Sequence, residues 1–281
     1  MTIYKIKSHA KINLALNVTG KYSKLHKIES IISFVDLHDL IYLELTNNRN
    51  HEILFEGKFS KGIGKKNTVS NLIKILDKKK LIKNRKFKIR IIKNIPQKAG
   101  MGGGSMNASC LLNFFIKKKI IKIKRRELIR LTKLIGSDVI LGINPSNSIL
   151  SSNGEIKKFK KKFIFYTLIA KPRFGCSTKY VFSKVRSFSK PKFNFPRQYM
   201  FNKSYLKNLN NDLEIIVFKK YPKLKNIKSF LLTIPNTIFV NMSGSGSSIV
   251  AYFQSKKACN LALNQFKRKF NSIWCIASKT I

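Results

Sequence analysis

The stretch Gly100-Met101-Gly102-Gly103-Gly104-Ser105 carries the strongest chemical signal in the chain. It follows a segment in which Phe87, Ile89 and Ile91 alternate with Lys88 and Arg90, the period of a strand, which ends near Pro96. It precedes Ala108, Leu111, Leu112, Phe115 and Ile116, which fall on one helical face. Strand, glycine turn and helix N-terminus together make an anion site. Glycine lets the backbone approach a phosphate, and the free N–H groups and the positive helix end attract it. Ser105 is expected to cap or open that helix. The other reading is a tight turn that needs small residues. No Gly-Lys-[Ser/Thr] follows, so the loop is not a Walker A loop, and the G-x-G-x-x-G spacing of a dinucleotide fold is absent.

Three further elements could carry chemistry. Lys11 stands between Ala10 and Ile12 at the start of a strand, and in a lysine-rich chain it means nothing alone. Asp138 is one of only 12 acidic residues and follows Gly136 in an apolar setting, where a helix-capping aspartate is the plain alternative. Ser243-Gly244-Ser245-Gly246-Ser247-Ser248 is a second glycine-punctuated loop, readable also as a flexible hairpin. The cysteines Cys110, Cys176, Cys259 and Cys275 form no C-x-x-C pair, and His9, His26, His38 and His51 form no H-x-x-x-H set. Free buried thiols and no metal site are expected.

The elements that must position these residues read as α+β. Strands are expected at 3–6 and 12–18, where Ile12, Leu14, Leu16 and Val18 share a face, and at 30–35 and 40–45 with a break at Asp36–Asp39. Helices are expected at 67–76, over the apolar stripe 108–116, and at 126–135, which stops at Gly136. Ser137-Asp138 then opens an apolar segment, 139–143. Asn144-Pro145 and Asn153-Gly154 bracket a boundary, which gives two domains, 1–152 and 153–281. The second contains strands at 163–170, 237–241, 248–253 and 272–278, helices near 213–220 and 223–232, a helix from Ser255, and a basic loop at 183–198.

Composition limits the classes. Lysine and arginine number 57 against 12 acids, a formal charge of +45, and hydrophobic residues make up 43% of the 281 positions, ample for a core. The basic runs, such as Lys117-Lys118-Lys119 and Lys157 to Lys162, are scattered among Ile and Phe rather than gathered on one face. That pattern suits an AT-rich bacterial genome filling solvent positions with lysine. Nonspecific sticking to polyanions is expected, but no specific nucleic acid. The longest charge-free stretch, Ser229 to Ser255, contains Pro235, Asn241 and the Ser/Gly loop, which makes a membrane span unexpected. No secretory h-region opens the chain, so a soluble cytoplasmic protein is expected.

In this order the elements resemble the GHMP kinase superfamily. The carriers are His9-Ala10-Lys11-Ile12-Asn13-Leu14 (family A-K-[IL]-N-L), Thr19-Gly20 followed by His26, and Asp36-Leu37-His38-Asp39. They continue with Pro96 to Ala108 (P-x-x-x-G-L-G-G-G-S-S-N-A) and Gly136-Ser137-Asp138-Val139 (G-A-D-V). Asn211-Asp212-Leu213-Glu214 with Tyr221-Pro222, and Met242-Ser243-Gly244-Ser245-Gly246, complete the set. The resemblance implies a two-domain fold, with a ribosomal protein S5 domain-2-like N-terminal half, a ferredoxin-like C-terminal half and an active site in the cleft. It implies ATP, with Mg²⁺, and phosphorylation of the 2-hydroxyl of a cytidine-diphosphate-linked polyol in the non-mevalonate isoprenoid route. Another GHMP small-molecule kinase is the nearest alternative, and A-K-I-N-L and N-D-L-E argue against it. A noncatalytic basic protein on this fold would leave Lys11, the glycine loop and Asp138 unexplained.

The resemblance also implies roles. Gly100 to Gly104 and Ser105 would hold the ATP phosphates, with Ser105 reaching phosphate or Mg²⁺, and Asn67 and Lys93 would contact adenine. Asp138 would accept or orient the hydroxyl proton, and Lys11 beside it would keep it ionised and stabilise developing charge. Asn13 would support the reacting hydroxyl, His26 would contact cytosine, and Gly244 and Ser245 would face the substrate. The chain departs from the pattern at Ser23-Lys24-Leu25-His26, where the family has D-G-Y-H. The missing Tyr removes an aromatic face that would help hold the cytosine. Ile140-Leu141 replaces Pro-Phe, and Met106 replaces the second Ser after the glycines.

Overall fold

The computed structural model describes residues 2–23, 25–161 and 163–281. Lys24 of the Ser23–His26 stretch and Lys162 at the end of the Lys157 run lie outside the described residues. By mutual contact the chain forms two units, and neither is continuous. One unit is Met1–Ala10, Leu37–Pro96 and Gly102–Pro145, and the other is Lys11–Asp36, Gln97–Met101 and Ser146–Ile281. These units differ from the sequential halves 1–152 and 153–281, because the two longest strands and the glycine loop each contribute to both.

Those strands are β1 (Tyr4–Tyr22) and β2 (Leu25–Thr46), which pair with each other. Each merges two strands that the sequence reading kept apart. The expected break at Asp36–Asp39 is absent because polar and apolar residues alternate through it, with Val35, Leu37 and Asp39 buried and Asp36 exposed. Asp39 tolerates burial because its Oδ1 accepts from Asn94 N and Ile95 N, both at 2.8 Å, while its Oδ2 pairs with Lys93.

The first unit packs three helices on a small sheet. The C-terminal part of β2 runs antiparallel to β4 (Lys86–Ile92), and β3 (Glu52–Glu56) lies parallel on the far side of β4. The helices are α1 (Thr68–Lys78), α2 (Gly103–Lys117) and α3 (Arg125–Ile135). In α1, Val69, Leu72, Ile73 and Leu76 recur at helical spacing and are buried, facing Ile41, Leu43, Ile89, Ile91 and Phe115 of one core. Asn67 starts α1 with a capping box, its Oδ1 accepting from Val69 N and Ser70 N at 3.0 Å.

The second unit contains β5 (Asn147–Leu150), antiparallel to the start of β2, and β6 (Ile156–Phe159) beside it. A separate antiparallel sheet runs in the order β10–β7–β9–β8, from β7 (Tyr166–Lys171), β8 (Thr237–Met242), β9 (Ile249–Phe253) and β10 (Trp274–Lys279). Between β7 and β8 come α4 (Thr178–Ser183), α5 (Lys203–Leu206), α6 (Leu213–Lys220) and α7 (Pro222–Thr233), and α8 (Lys256–Lys269) connects β9 to β10. Strand, helices, two strands, helix and strand is the ferredoxin-like order expected for the C-terminal half. Leu213, Val217, Leu224, Ile227, Leu231, Ala262 and Phe266 pack on Leu168, Val240 and Ala251 of that sheet. The fold is of the expected α+β class. No helix among the described residues is long and apolar enough to cross a membrane.

All four cysteines are free, with Cys176 and Cys259 buried and burial raising both thiols to about 11. The +45 charge should repel itself over roughly 10 Å at 0.1 M salt and over about 30 Å at 0.01 M. The melting temperature is therefore expected to rise by about 3–6 °C between low salt and about 0.3 M NaCl. A melting point that does not move with salt would show that the lysines do not oppose folding.

Candidate active site

In the first unit the glycine loop becomes a helix sooner than the sequence suggested. Gly103 is the first residue of α2, and Gly102, in left-handed conformation at φ 64°, stands before it. Ser105 therefore lies inside the first turn and does not cap it. Gly102 has no side chain with which to cap this end, and the first-turn N–H groups of a helix start are suited to an anion. A β-carbon on Gly104 would come within 2.9 Å of Thr68 Oγ1, and one on Gly103 within 3.1 Å of Ile95 Cγ2. The glycines thus let the N-terminus of α2 pack against that of α1 and against the exit of β4.

Asp138 opens a 3₁₀ turn, Val139–Gly142, with φ −85° and ψ −7°, and its carboxylate does not cap that turn. Capping, the plain reading of Asp138, is therefore not what the side chain does. The backbone around it is fixed to α2, since Ser109 Oγ donates to Val139 O at 2.6 Å. A β-carbon on Gly142 would meet Ser109 Cβ at 2.8 Å and Met106 Sδ at 2.9 Å. One on Gly136 would lie 3.7 Å from Ser105 Oγ and 3.9 Å from Thr68 Cγ2. Gly136, Ser105 and Thr68 therefore meet two residues before the carboxylate.

Asn67 and Lys93, expected at adenine, have other partners. The Asn67 amide is committed to the α1 cap and donates to Gly64 O at 3.0 Å. The Lys93 ammonium is buried against the carboxylate of Asp39, with desolvation pulling its pKa down. Both side chains are thus engaged within the first unit. His9 and His38, which do not stand at metal-ligand spacing in the sequence, have ring centroids 5.2 Å apart.

In the second unit, β1 is buried on both faces from Lys11 to Val18, not on the single face of Ile12, Leu14, Leu16 and Val18. The other face carries Lys11, Asn13 and Asn17, and buried polar groups require partners. Lys11, 5% exposed, donates to Asn13 Oδ1 at 2.8 Å. Asn13 Nδ2 donates to Ser30 Oγ at 2.7 Å, and Ser30 Oγ donates to Ala15 O at 2.6 Å. Asn17 Nδ2 donates to Glu29 Oε1 at 2.7 Å.

The Ser/Gly loop is not a flexible hairpin. Residues 243–248 are all buried and tied down. Ser243 Oγ accepts from Asn13 N at 3.2 Å and donates to Gly100 O at 2.9 Å. Asn211 Nδ2 donates to Met242 O and Gly244 O, both at 2.7 Å, and Glu214 Oε1 accepts from Met242 N at 2.7 Å. Ser245 Oγ is 2.8 Å from Thr178 Oγ1. Gly100 has φ 72°, and a β-carbon there would lie 1.8 Å from Ser243 O. Lys11 N donates to Met101 O at 3.1 Å. This unit thus joins Lys11, Asn13, Gly100, Met101, Gly244 and Ser245 through Ser243 and Asn211. In the sequence Ser243 stands out only as part of its loop and Asn211 only as part of the Asn211-Asp212-Leu213-Glu214 motif.

Residues 67–149 match the model for the GHMP kinases N terminal domain. Two solved structures share the fold over nearly all of both chains. One is a 4-(cytidine 5'-diphospho)-2C-methyl-D-erythritol kinase, with a TM-score of 0.79, 20% identity, and 99% of this chain and 100% of that one covered. The other is homoserine kinase from Cytophaga hutchinsonii, with a TM-score of 0.72, 14% identity and coverage of 100% and 95%. These likenesses define the fold class, that of the GHMP kinases. The 4-diphosphocytidyl-2-C-methyl-D-erythritol kinase of Pelagibacter ubique (strain HTCC1062) is 66% identical over 281 residues, 100% of each chain. The enzyme of that name from Clostridium beijerinckii is 31% identical, with 96% of this chain and 98% of that one covered. The chain belongs to the 4-diphosphocytidyl-2-C-methyl-D-erythritol kinase family.

Proposed function

We propose that this protein transfers the γ-phosphoryl group of ATP to the 2-hydroxyl of 4-diphosphocytidyl-2-C-methyl-D-erythritol, in the non-mevalonate route to isoprenoid precursors. The observation that carries this reading is the full-length identity of 66% with a relative of that name. The geometry of each unit supports it. Phosphoryl transfer asks the protein for positioning and charge stabilisation rather than covalent help. The uncapped first turn of α2 offers N–H donors and the positive helix end to the ATP phosphates. Asp138, on a turn anchored to the same helix, accepts the hydroxyl proton or orients the hydroxyl for attack. Lys11 neutralises charge developing on the oxygens in transfer, and the Asn13–Ser30 chain fixes its direction.

The resemblance includes Mg²⁺, and the donor chemistry fits it. The Ser105 hydroxyl, on the uncapped turn of α2, is a hard oxygen ligand beside the place for phosphates. When bound, Mg²⁺ neutralises charge on the β- and γ-phosphates. Asn67 and Lys93 are the residues that the resemblance places at adenine. Both substrates are soluble, and the enzyme works in the cytoplasm.

The test is ADP release by purified protein in moderate salt, with and without 4-diphosphocytidyl-2-C-methyl-D-erythritol. Release that requires this substrate, and is not elicited by homoserine or mevalonate, is the expected result. Folded protein that releases no ADP with it would overturn the reading.

A further inference from the structure

His9 on β1 and His38 on β2 are distant in sequence, but the two strands pair. Their ring centroids lie 5.2 Å apart, with the planes tilted by 57° rather than stacked. A ring nitrogen of each and a carboxylate oxygen of Asp36 all lie within 4.8 Å of one another. Asp36 and His38 stand two apart on the unbroken strand β2, so they share a face and the strand itself sets their spacing. Both imidazoles are half-buried and Asp36 is exposed, which leaves a side open to water.

Two imidazoles and one carboxylate suit a borderline transition ion. Tetrahedral Zn²⁺, with bonds of about 2.0–2.1 Å, holds its ligand atoms about 3.4 Å apart, and rotation of the side chains closes that gap. A cation entering a +45 chain is repelled by the whole molecule. Neutral imidazoles add nothing to that repulsion, and Asp36 offsets part of it. Nitrogen donors do not suit Mg²⁺, which prefers oxygen, so this set selects a different ion from the one that neutralises phosphates. Other soft donors compete poorly. Burial pushes all four thiols up, so they keep their protons at neutral pH. His51 has both ring nitrogens engaged, Nδ1 accepting from Phe87 N at 3.1 Å and Nε2 lying 3.0 Å from Asp77 Oδ2.

We propose that His9, His38 and Asp36 form a binding site for Zn²⁺, with water as the fourth ligand. The ion clips β1 to β2. It binds the folded chain, in which these strands are paired, and so stabilises the fold by mass action. The site stands apart from the kinase reading and is tested without turnover.

The experiment is calorimetric titration of the metal-stripped, full-length protein with Zn²⁺ in the presence of excess Mg²⁺, followed by the absorption spectrum with Co²⁺ in place of Zn²⁺. Wild type should bind one equivalent and melt at a higher temperature with Zn²⁺ than without it. His9→Gln and His38→Gln should each weaken binding by about tenfold or more, since losing even a partner behind a metal ligand costs that much. His26→Gln and Cys110→Ser should bind as wild type does. The Co²⁺ form should show ligand-field bands in the visible without the near-ultraviolet band of thiolate ligation. That spectrum is read on wild type, so it decides even where a histidine variant fails to fold. No saturable Zn²⁺ binding, unchanged binding in both histidine variants, or a thiolate band that Cys110→Ser removes would overturn the inference.

Discussion

Asp138→Asn should lower turnover by about 10³-fold, within the roughly 10²–10⁴ range that a positioned proton acceptor supplies. The amide keeps the shape of the carboxylate and removes its charge and its basicity. The fold should survive, because the turn is held by groups the substitution does not touch. Val139 N donates to Gly136 O at 3.1 Å, Leu141 N donates to Asp138 O at 3.2 Å, and Ser109 anchors Val139 O. KM for ATP should change little, since the donors proposed for the phosphates lie on α2. The measurement is ADP release at saturating substrates beside a melting curve. Turnover within about tenfold of wild type would show that neither the basicity nor the charge of Asp138 carries the transfer.

Gly100→Ala should cost about 3 kcal/mol or more of stability and most of the activity. Two independent penalties add. A β-carbon at φ 72° adopts a conformation that non-glycine residues pay roughly 1–3 kcal/mol to hold. It would also sit 1.8 Å from the carbonyl oxygen of Ser243, backbone that cannot swing aside as a side chain would. Overpacking of this kind costs about 1–3 kcal/mol more. The displaced Ser243 takes with it the bond from its hydroxyl to Gly100 O and the one it accepts from Asn13 N, two residues from Lys11. Gly64→Ala is the control: a β-carbon there meets nothing within 4 Å and the backbone is not left-handed. Urea titration should separate the two variants by about the full penalty. Equal stability would mean that the two loops are not locked together.

Much of the scaffold was legible locally. The helices from Asn67 and Ser255, the 213–220 helix and the strand at 86–92 follow from period and caps, which depend on neighbours within one or two turns. Short edge elements escaped. β3 reads Glu-Ile-Leu-Phe-Glu, too brief to show a period, and α4 and α5 have six and four residues. The merging of strands into β1 and β2 also escaped, because Asp39 looks like a strand breaker until the backbone donors of Asn94 and Ile95 are known.

For the site, the sequence alone identified the glycine loop, Lys11, Asp138 and His26 as groups of interest, because glycine clustering and residue order survive in one dimension. It could not tell Lys11 from the other lysines by type. Lys11 differs by being buried and bonded to Asn13, and Lys93 by being spent on Asp39. Nor could it assign Ser243 to Asn13, which stand 230 positions apart, or Asp212 to Val18, 194 apart. His9 beside His38 belongs with these. A hydrogen bond or ring contact depends on distance in space, and only closure of the fold sets which distant residues become neighbours.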